Sequence, residues 1–243
     1  MIAVVGSMFF VLMPSVASAD GFDLSSLLPM GAGSASGKII QLVSLLTVLS
    51  VAPGLLIMVT SFARFAMALS FLRTGLGLQG TPANLVLINL AVFMTFYVMT
   101  PTFERAWENG LRPLTENKIS ELEAFEKISA PFRDFMVANV REKDIQLLEE
   151  LSRRQTTIVQ QKNPGLQVLI PAFMISELRR GFEIGFLILL PFLVIDMIVA
   201  IMTMSMGMMM MPPTTISLPI KILFFILIDG WNLLIGNLVR SFN

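Results

Sequence analysis

From Ile184 to Met211 the chain runs 28 residues with a single charge, Asp196, inside "LILLPFLVIDMIVAIMTMSMGMMMM". About 20 apolar residues in a helix cross the ~30 Å hydrocarbon layer of a bilayer. A carboxylate set in such a run costs at least ~2.5 to 3.5 kcal/mol unless it faces protein or water and finds a partner. The same condition recurs at Glu177, within "PAFMISELRRGFEIGF", and at Lys221 and Asp229, within the apolar run Ile216–Val239. A chain built this way folds as membrane-type helices whose isolated charges meet in the interior. Glu177, Asp196, Lys221 and Asp229 are therefore candidates for interhelical or intersubunit contacts.

Composition agrees, with 55% apolar residues and a mean hydropathy of +0.77. Soluble domains average roughly 45 to 50% apolar. With no cysteine and no histidine, thiolate chemistry, imidazole catalysis and the common zinc and haem ligations are excluded. No glycine-rich phosphate loop and no serine nucleophile elbow is present, so no enzyme activity and no cofactor is expected. The 17 basic and 17 acidic residues cancel, and nothing points to nucleic acid.

Five regions are expected. Residues 1–19 read as a signal peptide, with Ala17-Ser18-Ala19 as the small-x-small cleavage pattern and Asp20 as the first mature residue; an uncleaved anchor is the alternative. Residues 20–38 form a Gly/Ser-rich start. Residues 39–103 hold an apolar helical hairpin: Ile39–Ala63 is uncharged, Pro53-Gly54 is expected to break it, and Leu85–Phe103 is its second arm. Arg64 and Arg73 flank the intervening Gly-rich turn, which the positive-inside rule places in the cytoplasm.

Residues 104–165 are then expected in the periplasm as an insert of amphipathic helices, an antiparallel pair. Ser120-x-x-Glu123 is a capping box, Ile119, Leu122, Phe125 and Ile128 recur at helical spacing, and a second helix start is expected at Ser129-Ala130-Pro131. Leu147, Leu148 and Leu151 continue an apolar stripe. Residues 166–243 form a second apolar hairpin.

Its turn carries Met208, Met209, Met210 and Met211 between Gly207 and Pro212-Pro213. Four successive helical residues sweep ~100° each and cover every side, so one packing face does not account for them. Glycine before and prolines after favour a helix end or loop. Methionine is unbranched and polarizable and repacks around irregular surfaces.

The stretches "PAFMISELRRGFEIGF" and "PFLVIDMIVAIMTMSMGMMMMPPTTISLPIKILFFILIDGW", with "MVTSFARF", "FLRTGLG", "MTFYVMTP" and "KISELEAFEKISAPFRDFM" in the same order, resemble the FliP family of flagellar biosynthetic proteins. Its virulence relatives are the R-type proteins of injectisomes. The resemblance covers nearly the whole mature chain. It implies an all-α membrane-type protein of kinked helical hairpins plus a periplasmic insert. Several copies, pentamer-like, would assemble with the smaller Q-type and R-type export-gate subunits into a helical cone in the flagellar basal body at the inner membrane. Alongside other export-apparatus membrane proteins, that cone would pass unfolded flagellar proteins. The resemblance further implies that much of the apolar helix surface packs on other subunits above the membrane plane. It makes Met208, Met209 and Met210, with Met211 beside them, a gasket around the closed pore. It also joins Glu177, Lys221 and Arg141 in a network between neighbouring subunits. Alternatives are a virulence export-apparatus subunit or an ion-coupled transporter using Asp196 and Asp229.

Overall fold

The structure, a computed structural model, describes residues 53–78, 84–153, 165–207 and 212–242, together with 43, 46, 47 and 50. The signal segment, the start of the mature chain and Met208–Met211 lie outside the described residues. The chain divides into two compact units, Met1–Val51 and Ala52–Asn243. All elements named below belong to the second, and all of them are helical.

Helix α1, described over Pro53–Val59, meets α2 (Phe62–Leu76) at an angle of 83°. The sequence places a break at Pro53-Gly54; the described helix runs on through Gly54, and the sharp bend comes at Thr60–Ser61.

Helix α3 (Asn84–Ala106) runs on through a π-helical turn, Trp107–Leu111, into α4 (Arg112–Thr115). Helix α5 (Glu121–Asn139) is capped by Ser120, whose hydroxyl accepts the Glu123 N–H at 3.3 Å, as the capping box predicts. It does not restart at Ser129-Ala130-Pro131. Pro131 sits buried inside one continuous helix, and the chain breaks only at Val140–Arg141, before α6 (Glu142–Arg153). Proline removes one hydrogen bond of a helix ladder, a loss that burial of its ring offsets here. Nor do α5 and α6 form an antiparallel pair: each packs on the long helix α7 (Leu166–Ser205) in preference to the other.

The apolar stripe of α5 is also turned from its expected direction. Leu122 and Phe125 are 83% and 65% exposed, whereas Ala124, Pro131 and Met136 are buried. The π-helical turn explains this: it brings Gly110 so close to Ile128 that a Cβ there would lie 2.4 Å from Ile128 Cγ1. The α5 face carrying Ala124 and Ile128 is the one thereby drawn inward.

Helix α7 is the spine. It has 40 residues with Pro171 and Pro191 inside, about 60 Å at ~1.5 Å per residue. It runs parallel to α2, since Arg64, Met67, Phe71 and Gly75 meet Glu177, Gly181, Gly185 and Phe192 in the same order. The approach is close because the helices present glycines to each other: a Cβ on Gly185 would stand 2.3 Å from Phe71 Cδ2, and one on Gly75 2.6 Å from Phe192 Cδ2. Helix α8 (Pro213–Leu227) returns antiparallel along α7, and α9 (Gly230–Arg240) leaves it at 64°.

The main core gathers Phe65, Ala68, Leu69 and Leu72 of α2, Ala91 and Met94 of α3, Phe192, Phe225, Leu234 and Leu238. A smaller cluster joins Met136, Leu169 and Phe173 beneath Val59.

Candidate functional site

Two charge clusters sit on α7, 19 residues apart, about 28 Å along the helix. At the first, Glu177 is 0% and Arg64 is 1% exposed. Arg64 Nε donates to Glu177 Oε2 at 2.9 Å and Nη2 donates to Oε1, a bidentate pair. Nη1 donates to the Ser241 carbonyl at 2.7 Å and to its hydroxyl at 2.8 Å, and the Phe242 ring covers the guanidinium with its centroid 3.6 Å from Cζ. Arginine's planar fork matches a carboxylate in this way, and its weak hydration tolerates burial. Phe242 in turn stacks on Phe65 and Phe135, so one arginine ties α2, α7, α5 and the segment after α9 together.

At the second cluster, Lys221 of α8 donates from Nζ to Asp196 Oδ2 at 2.6 Å, and Ser217, one turn earlier, donates to Oδ1 at 2.6 Å. A Cβ on Gly77, at the carbonyl end of α2, would lie 4.0 Å from the same Nζ. The ammonium thus stands between a carboxylate and the negative end of a helix dipole. Lys221 is nearly buried while the Asp196 side chain keeps 36% exposure.

The five expected network residues divide. Glu177 and Lys221 belong to different clusters, each with an acid or base of its own chain. Arg141 lies one residue from the first cluster: its backbone N–H donates to Ser176 Oγ at 3.0 Å, its side chain reaches Asp144 at 4.0 Å, and Ser176 Oγ lies 2.6 Å from Asp144 Oδ2. Asp229 is exposed at the α8–α9 bend, in left-handed conformation (φ 51°), and accepts from Asn232 Nδ2 at 3.2 Å.

Arg64, Ser217, Ser241 and Phe242 are contributors that the sequence reading passed over. Arg64 carried the same signal as Glu177, a lone charge closing an uncharged run of 25 residues, but it reads equally as a loop charge. Buried in an ion pair, it cannot count toward membrane orientation; Arg73, bonded to Asn84 Oδ1 at 3.2 Å, is the exposed-turn cation that remains.

The methionine segment is framed by a clean helix end and a clean start. After Ser205 the Gly207 N–H returns to the Met204 carbonyl at 3.1 Å with φ +74°, a left-handed conformation that glycine adopts freely. Pro212 and Pro213 then take the N-cap and first-turn positions of α8. Leading into this junction, Met197, Ile198, Ile201, Met202 and Met204 of α7 stand exposed, as does Met206 just past its end. Along this half of the helix only Phe192, Val199 and Thr203 are buried.

The FliP family profile matches residues 45–238. The chain belongs to the FliP family. Among curated relatives it is 60% identical, over 95% of its own length and 94% of theirs, to the flagellar biosynthetic protein FliP of Rhizobium meliloti (strain 1021). It is 48% identical to the protein of that name from Caulobacter vibrioides, over 99% of this chain and 90% of that one. The Bacillus subtilis (strain 168) protein is 49% identical over 84% of this chain and 91% of its own length. The FliP profile spans Arg64, Glu177, Asp196 and Lys221, so both charge clusters lie within the family's domain.

Proposed function

We propose that this FliP-family chain is a core subunit of the flagellar type III export gate, present in several copies and joined by Q-type and R-type subunits around a channel for unfolded flagellar proteins. The observation that carries this reading is α7. At ~60 Å it is about twice the ~30 Å hydrocarbon thickness, so a bilayer cannot cover it from end to end. Yet apolar side chains stand exposed along its length, from Ile175 and Leu178 to Met204. Surface that lipid cannot reach calls for further protein, and exposed apolar area on this scale marks an interface.

In this reading the two charge clusters fix α2, α7 and α8 as a rigid plate, and Met208–Met211 lie at the plate's end where a seal needs soft side chains. Residues 104–165 face the periplasm, and the assembly sits in the inner membrane at the flagellar base. Asp196, already paired with the Lys221 ammonium and hydrogen-bonded by Ser217, suits a structural role better than that of a coupling carboxylate in a transporter. The relatives' names favour flagellar over virulence use.

Native mass spectrometry of the complex purified with its Q-type and R-type partners tests the assembly. Several copies of this chain per complex are expected; a single copy would refute the reading.

A further inference from the structure

We infer that Thr60–Ser61 is a two-state hinge: the bent α1–α2 pair straightens into one continuous helix that spans a membrane. The orphaned Ser61 hydroxyl points to it. Ser61 is 0% exposed, and among the described residues its Oγ is the buried side-chain atom that finds no hydrogen-bond partner. A buried hydroxyl left unpaired is costly and calls for a reason.

Elsewhere in this chain helical hydroxyls donate to carbonyls of their own helix, Ser129 and Thr203 to the carbonyl three residues back at 3.1 and 3.0 Å. Thr74, Thr95, Thr100 and Ser205 donate to the carbonyl four residues back, at 3.0, 2.7, 2.7 and 2.8 Å. For Ser61 that carbonyl belongs to Ile57, on the far side of the 83° bend. The backbone shows the same interruption, since Thr60 and Ser61 lie outside both helices. Continuing the helix through Thr60 and Ser61 would restore the ladder and bring the Ile57 carbonyl to Ser61 Oγ.

Little on α1 resists the change. Leu55, Leu56, Ile57 and Met58 are each 43 to 49% exposed, and only Val59 packs on the smaller core cluster. Helix α2, held through Arg64 and its close contact with α7, is the fixed arm. Length gives the change its consequence. The 15 residues of α2 make an arm of ~22 Å, short of a ~30 Å hydrocarbon layer. As one helix, 53–76 would reach ~36 Å and cross it, with the four apolar side chains of α1 in lipid.

The chain has no cysteine, so two spin labels report the hinge without background. Labels at Gly54→Cys, where a side chain meets open space, and at the exposed Thr74→Cys are ~23 Å apart along the bent pair and ~30 Å apart along a straight one. In lipid nanodiscs the full-length protein is expected to show both distances. Ser61→Ala, which removes the bond available only to the straight form, is expected to lower the long-to-short ratio about fivefold. A single distance in the labelled protein, or an unchanged ratio in Ser61→Ala, would overturn the inference.

Discussion

At the scale of single residues, the two ion pairs differ in what their loss should cost. Arg64 and Glu177 are both out of contact with water, and truncating either strands the other. Arg64→Ala should destabilise the fold by ~3 to 5 kcal/mol, whereas the double replacement Arg64→Met with Glu177→Leu should recover most of that loss. Thermal unfolding of the purified protein in detergent, run as a double-mutant cycle, reads the coupling directly; additive losses would mean that the pair is not a unit. Lys221→Ala should cost less, because Asp196 keeps 36% of its side chain accessible and can draw water in place of the ammonium. Asp229 holds a left-handed backbone without being glycine, a conformation costing roughly 1 to 2 kcal/mol for most residues. Asp229→Gly should therefore raise the melting temperature, and a drop would show that its bond from Asn232 outweighs the strain.

At the scale of elements, the α2–α7 contact depends on what is missing from it. A Cβ on Gly185 would intrude on Phe71 and one on Gly181 would lie 2.9 Å from Met67 Cβ, so Gly185→Ala should cost ~1 to 3 kcal/mol by overpacking. Gly236 of α9 meets nothing within 4 Å, so Gly236→Ala should instead add ~0.5 to 1 kcal/mol through helix propensity. Opposite shifts in melting temperature are expected from the same chemical change, and equal shifts would contradict the packing described.

Elements also mark where sequence and structure part. The helices, the Ser120 cap and the helix end before the methionines were legible because each depends on neighbours in the chain. The bend at Thr60–Ser61 and the unbroken α5 were not, because both answer to distant partners. Val59 is drawn onto Phe173 and Leu169, and Pro131 is buried where α5 meets the π-helical turn. Charge pairing showed the same boundary. That Glu177 and Asp196 need partners follows from their surroundings; that Arg64 and Lys221 supply them depends on α2 lying parallel to α7 and α8 lying antiparallel to it.

At the scale of the whole molecule, the outstanding fact is how much apolar surface faces outward. Leu122 and Phe125 on α5, and the exposed side of α7 from Phe182 to Met204, form no core of their own. On the reading of an export-gate subunit they are contact surface, and Leu122→Ser with Phe125→Ser should leave the isolated chain as stable as before while reducing recovery of the complex on a native gel. Normal recovery would remove α5 from the interface. The central claim is that several such chains close a channel with Met208–Met211. Its most direct test is the ion conductance of the assembled complex in planar bilayers, with Met208, Met209 and Met210 replaced by alanine. A standing leak absent from the unsubstituted complex is the predicted result, and an equally tight barrier in a complex shown to be fully assembled would contradict the account.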